Sequence, residues 1–331
     1  MYSAYITKFD DLQTEITKSL DFIDWKQQVK KDSIVFVKPN FTYPFYKEGI
    51  TTSPQVLRIL LEMLKDRADR VILGESDGGN HSFSADTAFK GHGIGGICKE
   101  VGVELINLSA LPSRFVEDTI QKKQVKVQLP NLLLDTVDCV ISVPVLKVHV
   151  MTLVSLGIKN LWGCYPDTMR GLHHKHLSYK LALLTKLLHP KIILIDGTYG
   201  LTGHGPMYGT VQKNNLIISA NNAVVSDSLG AKVMGISPMK CEHITIAEKE
   251  GLGSIDLTKL KINDTWIDFV MQFNVNKTII DRLSYIPFNS EILAKLIMDS
   301  PCTPGIYKIA RSLRNKEERT VANDLIKYKA E

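Results

Sequence analysis

The sequence predicts an α/β fold: a mostly parallel sheet flanked by helices, with a helical C-terminal extension. Three observations predict it. Short apolar runs of strand length alternate with segments whose apolar residues recur at helical spacing. Several of those runs end in clusters of glycine and polar residues, where open parallel sheets place their ligand sites. The chain has 331 residues, 44% hydrophobic and 23% charged, which suits a globular protein with a sizeable core.

The elements follow in order. Ile34-Val35-Phe36-Val37 is a buried strand closed by Lys38-Pro39-Asn40. Ser53 caps a helix that opens on Pro54 and carries Val56, Leu57, Leu60, Leu61 and Leu64. Val71-Ile72-Leu73 is the next strand, ending in Gly74-Glu75-Ser76-Asp77-Gly78-Gly79. A helix over about 84–101 leads to a third strand over 103–108. Residues 139–144 form a strand, and a helix over about 178–188 leads to another at 191–197. A strand at 215–220 precedes a helix over about 222–234, and a further helix near 240–250 ends at Gly251.

The composition changes near residue 265. Residues 1–265 read as an α/β catalytic-like domain and 266–331 as the helical extension. The extension carries Ile292, Leu293, Leu296 and Ile297 at helical spacing, then Lys308, Arg311, Arg314, Lys316 and Arg319, broken by Pro301, Pro304 and Gly305. Two readings stand for it: a helix pair packed on the body or on a second subunit, or a basic amphipathic element that meets a membrane surface or a protein partner.

Other classes are excluded. The 40 basic and 35 acidic residues are dispersed, and no reader motif for nucleic acid is present. The five cysteines form no C-x-x-C, which argues against a disulfide framework or an iron–sulfur cluster held by this chain alone. Neither a secretory signal nor an apolar run long enough to span a membrane is visible, so a cytoplasmic protein is expected. No G-x-G-x-x-G or P-loop follows a strand, so no NAD or nucleotide signature is read.

Candidate site residues collect at four strand ends. Lys38 and Asn40, with Thr51 and Thr52 at the next helix entrance, suit a phosphate or carboxylate, because a lysine is a compact cation and a helix N-terminus favours anions. Glu75 lies in a glycine-rich turn and is a candidate acid–base residue. The run Lys147-Val148-His149, continuing to Lys159 and Asn160, combines lysines with a histidine that titrates near neutrality. Asp196 opens a glycine-rich stretch that holds Gly203, His204 and Gly205. Lys147, His149, Lys159, Asp196, His204 and Glu75 are therefore the catalytic candidates. Lys38, Asn40, Thr51, Thr52, Asn160, Gly203 and Gly205 are the substrate-binding ones. His173, His174 and His176 are candidate ligands for a divalent metal. Asp227, inside a helix, is a candidate supporting partner.

Several clusters occur together in the order seen in the domain of unknown function 362 (DUF362) family. The matching pieces are Val37-Lys38-Pro39-Asn40, Gly49-Ile50-Thr51-Thr52-Ser53-Pro54, Gly74-Glu75-Ser76, 142–149, 157–163, Ile195-Asp196-Gly197, Gly203-His204-Gly205-Pro206 and Val225-Ser226-Asp227. The chain resembles that family over about 30–255, with Lys147-Val148-His149 where the family usually shows Lys-Thr-His. The resemblance implies a redox neighbourhood for relatives that carry ferredoxin-type modules, a cysteine pattern this chain lacks. At the level of architecture it also implies a distant likeness to the N-terminal half of lactate racemase-like proteins, hence proton transfer on a carboxylate. The expected function is an enzyme acting on an anionic small molecule by lysine and histidine acid–base chemistry, of isomerase, epimerase or lyase type. The alternatives are a metal-assisted enzyme using the 173–176 histidines, and an iron–sulfur- or redox-associated assembly protein without catalysis, docking as a homo-oligomer or to a partner through its C-terminal helices.

Overall fold

The computed structural model describes residues 1–278, 281, 287–312 and 316–329; Arg314 of the basic C-terminal run lies outside them. The apolar runs of the sequence become the middle of one sheet. Its strands are β1 (Ser3–Lys8), β2 (Ile34–Lys38), β3 (Arg70–Glu75) and β4 (Glu104–Asn107). After a separate antiparallel hairpin, β5 (Ser113–Ile120) and β6 (Lys123–Pro130), come β7 (Cys139–Ser142), β8 (Val145–His149) and β9 (Leu153–Ser155). The long strands β10 (Ile192–Thr202) and β11 (Thr210–Ala220) and the short β12 (Lys261–Ile262) complete it. The spatial order is β12-β1-β11-β10-β7-β2-β3-β4, with β8 and β9 branching from β10.

From β10 through β7, β2 and β3 to β4 all pairings are parallel. β11 runs antiparallel to both β10 and β1. The fold is thus α/β with a mostly parallel sheet. Its central strands read as continuous apolar runs because both of their faces are covered. Period-two alternation divides them: Phe36, Ile72 and Val140 join one core cluster, and Val35, Val37, Val71, Leu73 and Ile141 join the other.

Several boundaries differ from expectation. The helix expected over 84–101 is two helices, Ala85–Gly91 and Ile94–Val101, separated at Gly93, whose φ of +65° is left-handed. The strand at 139–144 ends at Ser142, since Pro144 has no N–H to donate. The chain then re-enters the sheet as β8, so Lys147 and His149 stand on a strand and not on a loop. β10 runs on to Thr202 through an irregularity between Gly197 and Tyr199, across residues whose glycine and hydroxyl content reads as loop. β1 and the β5–β6 hairpin were not expected.

The extension holds helices Glu291–Met298, Thr303–Ser312 and Lys316–Lys329. It returns to the body: Val275 bridges Gly203, and Asp324 accepts a 2.7 Å hydrogen bond from the Tyr43 hydroxyl. Ile292 and Leu296 on its first helix stay exposed. No helix among the described residues is long and apolar enough to cross a membrane.

Candidate functional site

A cavity of about 380 Å³ opens beyond the carboxyl ends of β2 and β3. That is where an open α/β sheet places its ligands, and the volume suits a small molecule. Lys38, Asn40 and Glu75 reach it from the strand ends, His149 and Ser155 from β8 and β9. Lys159, Asn160, Trp162, Arg170 and His174 reach it from the segment that follows. Phe288, Met298 and Leu325 of the extension line it as well.

The inner wall is a hydrogen-bonded polar network, although Ser76 Oγ and Trp162 Nε1 of the lining have no partner among the described residues. Lys38 Nζ donates to Glu75 Oε2 at 2.6 Å and to the Pro39 carbonyl at 2.7 Å, and both side chains are buried. Glu75 also accepts from the N–H groups of Phe41 and Ser76. Gly163 is required beside this pair: a Cβ there would lie 2.5 Å from Glu75 Oε1 and 2.7 Å from Lys38 Nζ. Behind the wall, Lys147 Nζ donates to Asn40 Oδ1 at 2.7 Å, to the Ile50 carbonyl at 2.6 Å and to Thr42 Oγ1 at 3.2 Å. Burial, with Lys159 and Lys38 nearby, holds the Lys147 pKa well below that of an ordinary lysine. Asn40 donates to Asn160 Oδ1, and Asn160 donates to the Lys38 carbonyl and to Ser142 Oγ.

Asp227 sets the position of Lys159. It lies fully buried on helix Ala223–Val233, and its two oxygens accept from the N–H groups of Gly157 (2.7 Å) and Ile158 (3.0 Å). These are orphan donors at the start of the short helix Gly157–Asn160, so the carboxylate caps it from across the fold. Gly157 lets the carboxylate approach, since a Cβ there would lie 2.9 Å from Asp227 Oδ1.

The Lys159 amine has no hydrogen bond or ion pair among the described residues, although its backbone carbonyl accepts from the Leu161 N–H. Burial first, then the charges of Arg170 and Lys38, lower its pKa to about 7. Arg170 is buried and donates only to carbonyls, of Tyr165 at 2.8 Å and of Asp77. Burial lowers its pKa, yet a guanidinium remains charged.

The two cavity histidines are in opposite tautomers. The His149 Nδ1 accepts from the Met151 N–H, which leaves the proton on Nε2. The His174 Nδ1 donates to the Gly171 carbonyl, which leaves a lone pair on Nε2. Burial, followed by the charge of Lys159, lowers both pKa values, that of His174 to about 3, so both imidazoles are neutral near pH 7. One offers a donor and the other an acceptor.

The remaining candidates stand elsewhere. Thr52 Oγ1 ties the Asn40 N–H to the Val143 carbonyl, and Thr51 bonds the Lys47 backbone. Asp196 is buried and accepts from the N–H groups of Ser53 and Thr198, so it anchors the helix Pro54–Lys65. His204 Nε2 bonds Asp281 of the extension at 2.5 Å. Gly203 carries the bridge to Val275, and Gly205 packs so tightly on β8 that a Cβ would meet the Val148 carbonyl. The three clustered histidines separate: His173 pairs with Asp167 at 2.8 Å, His174 enters the cavity, and His176 lies beside Lys123. Adjacent residues on a turn point apart. Among the described residues no group of three His, Cys, Asp or Glu side chains converges to hold a metal.

Sequence reasoning did not single out Arg170, Trp162 or Ser155. Arg170 precedes the histidine run by three positions, and a lone arginine in a polar segment carries no local signal of burial. The C-terminal wall had no signal either, since Phe288 and Leu325 reach the cavity only through tertiary folding.

The family described as "Domain of unknown function (DUF362)" matches residues 35–232, more than half of the chain, and the chain belongs to that family. It is also similar to a thylakoid-associated protein of Synechocystis sp. (strain PCC 6803), with 21% identity over 232 residues, covering 68% of this chain and 70% of that protein.

Proposed function

We propose that this chain binds a small carboxylate- or phosphate-bearing molecule in the cavity and moves a proton on it. One observation carries the reading. Among the cavity-lining side chains, Lys38, Lys159 and Arg170 are cationic against the single carboxylate of Glu75, which Lys38 already occupies. Buried charge without a partner is costly, and an anion would relieve it.

The roles follow from the free atoms. Arg170 has guanidinium N–H groups to spare and takes the anionic end of the ligand in the fork geometry that suits carboxylate or phosphate. Lys159, with a pKa of about 7, is matched to take and return a proton near neutrality. The neutral His149 donates from Nε2 to an oxygen on which negative charge develops. Lys147, Asn40, Asn160 and Asp227 hold these groups in place. This serves isomerase, epimerase or lyase chemistry next to a carboxylate. Residues 1–265 carry the chemistry in this reading, and the extension from 266 supplies the cover.

Calorimetric titration with oxalate and inorganic phosphate tests it. At least one should bind at a single site, and Lys159→Met should weaken binding about 10- to 100-fold, since a charge-assisted contact contributes about 1.5–3 kcal/mol. Failure of both anions to bind, or equal affinity in the variant, would defeat the reading.

A further inference from the structure

Three lysines surround the cavity, and only one can act as a nucleophile. Lys147 has all three of its donors engaged by Asn40, Ile50 and Thr42. Lys38 is locked between Glu75 and Pro39. Lys159 lines the cavity with no partner for its amine among the described residues, and the same cavity is lined by His149, with a donor Nε2–H, and by His174, with a lone pair on Nε2.

Building on the anion-site reading, we propose that Lys159 forms an imine with a ligand that carries an aldehyde or ketone beside its anionic group, as a 2-oxo acid does. The neutral amine nitrogen bonds to the carbonyl carbon. The carbonyl oxygen leaves as water, carrying away the two amine protons, and the imine nitrogen then takes one proton from solvent. His149 Nε2–H polarises the carbonyl oxygen as it leaves, and His174 Nε2 relays a proton from the attacking nitrogen. Trp162 and Phe41 line the same space and limit water. The resulting iminium draws electrons from the neighbouring carbon, which is how an amine assists loss of a proton or a carboxyl group there.

The chemistry needs an amine that is neutral at working pH. Burial and the charges of Arg170 and Lys38 lower Lys159 to about 7, so its amine loses its proton far more readily than that of an ordinary lysine.

Reductive trapping tests the proposal. The full chain is incubated with glyoxylate and cyanoborohydride, digested and mapped by mass spectrometry. Lys159 should gain a carboxymethyl group at least about ten times faster than a surface lysine. The exposed Lys259 is the reference. Oxalate should slow the labelling of Lys159, and propanal, which has no anionic group, should show no preference for it. Labelling of Lys159 no faster than Lys259 overturns the imine, and an equal preference with propanal overturns the anionic substrate class. If labelling is unselective but oxalate binds, only the imine is lost; if oxalate does not bind either, the anion site itself fails.

Discussion

Replacing Lys38 by methionine is expected to lower the unfolding free energy by about 3–5 kcal/mol, the cost of leaving a buried charge without its partner. The stranded group is Glu75, whose carboxylate is buried at the end of β3 with only two backbone N–H groups left to it. Glu75→Gln is expected to cost a comparable amount by stranding Lys38. The double variant Lys38→Met/Glu75→Gln should cost clearly less than the sum, because neither charge then remains. Urea unfolding of the four proteins measures the coupling. Additive single effects would show that the two groups act independently, against the 2.6 Å contact.

Asp227→Ala should be the other large effect, for a different reason. It leaves the N–H groups of Gly157 and Ile158 buried without acceptors, at about 1–3 kcal/mol each. The same change releases the helix that presents Lys159 and Asn160, so oxalate affinity should fall although Asp227 does not line the cavity. Burial raises the Asp227 pKa to about 7, and the two N–H bonds oppose that rise. A raised native pKa gives stability that is full below the unfolded value of 3.8 and is lost as pH climbs through about 7. Asp227→Asn should therefore flatten the fall in stability between about pH 4 and pH 7. Thermal melts across that range measure both outcomes. An Asp227→Ala variant with unchanged stability and unchanged oxalate affinity would remove Asp227 from the account.

The sheet was legible where physics is local. Val35, Phe36, Val37 and Val71, Ile72, Leu73 are buried on both faces, and continuous apolar runs announce such strands. β6 alternates polar and apolar residues, while β1 and β5 mix hydroxyl, charged and apolar residues without a continuous apolar run, and without a partner in view such segments pass for surface loop. The site was legible in part for the same reason. Lys38, Asn40, Glu75, His149, Lys159 and Asn160 follow strands or their near continuations, and the parallel sheet brings those ends to one rim. Asp196 and Thr52 have the same sequence signature and point instead at backbone donors, a choice that register and neighbours decide. Arg170 and the cover from the extension depend on contacts over large sequence separations, which no motif records.

Lys159 stands with no counter-charge for its amine among the described residues, in a cavity that Lys38 and Arg170 also line. Its ε-amine can be followed directly, by NMR of selectively labelled lysine over a pH titration with and without oxalate. A midpoint near 7 is expected in the free protein, moving upward when oxalate binds, since an anion favours the charged amine. A midpoint at the ordinary lysine value of about 10.4, unmoved by oxalate, would contradict it.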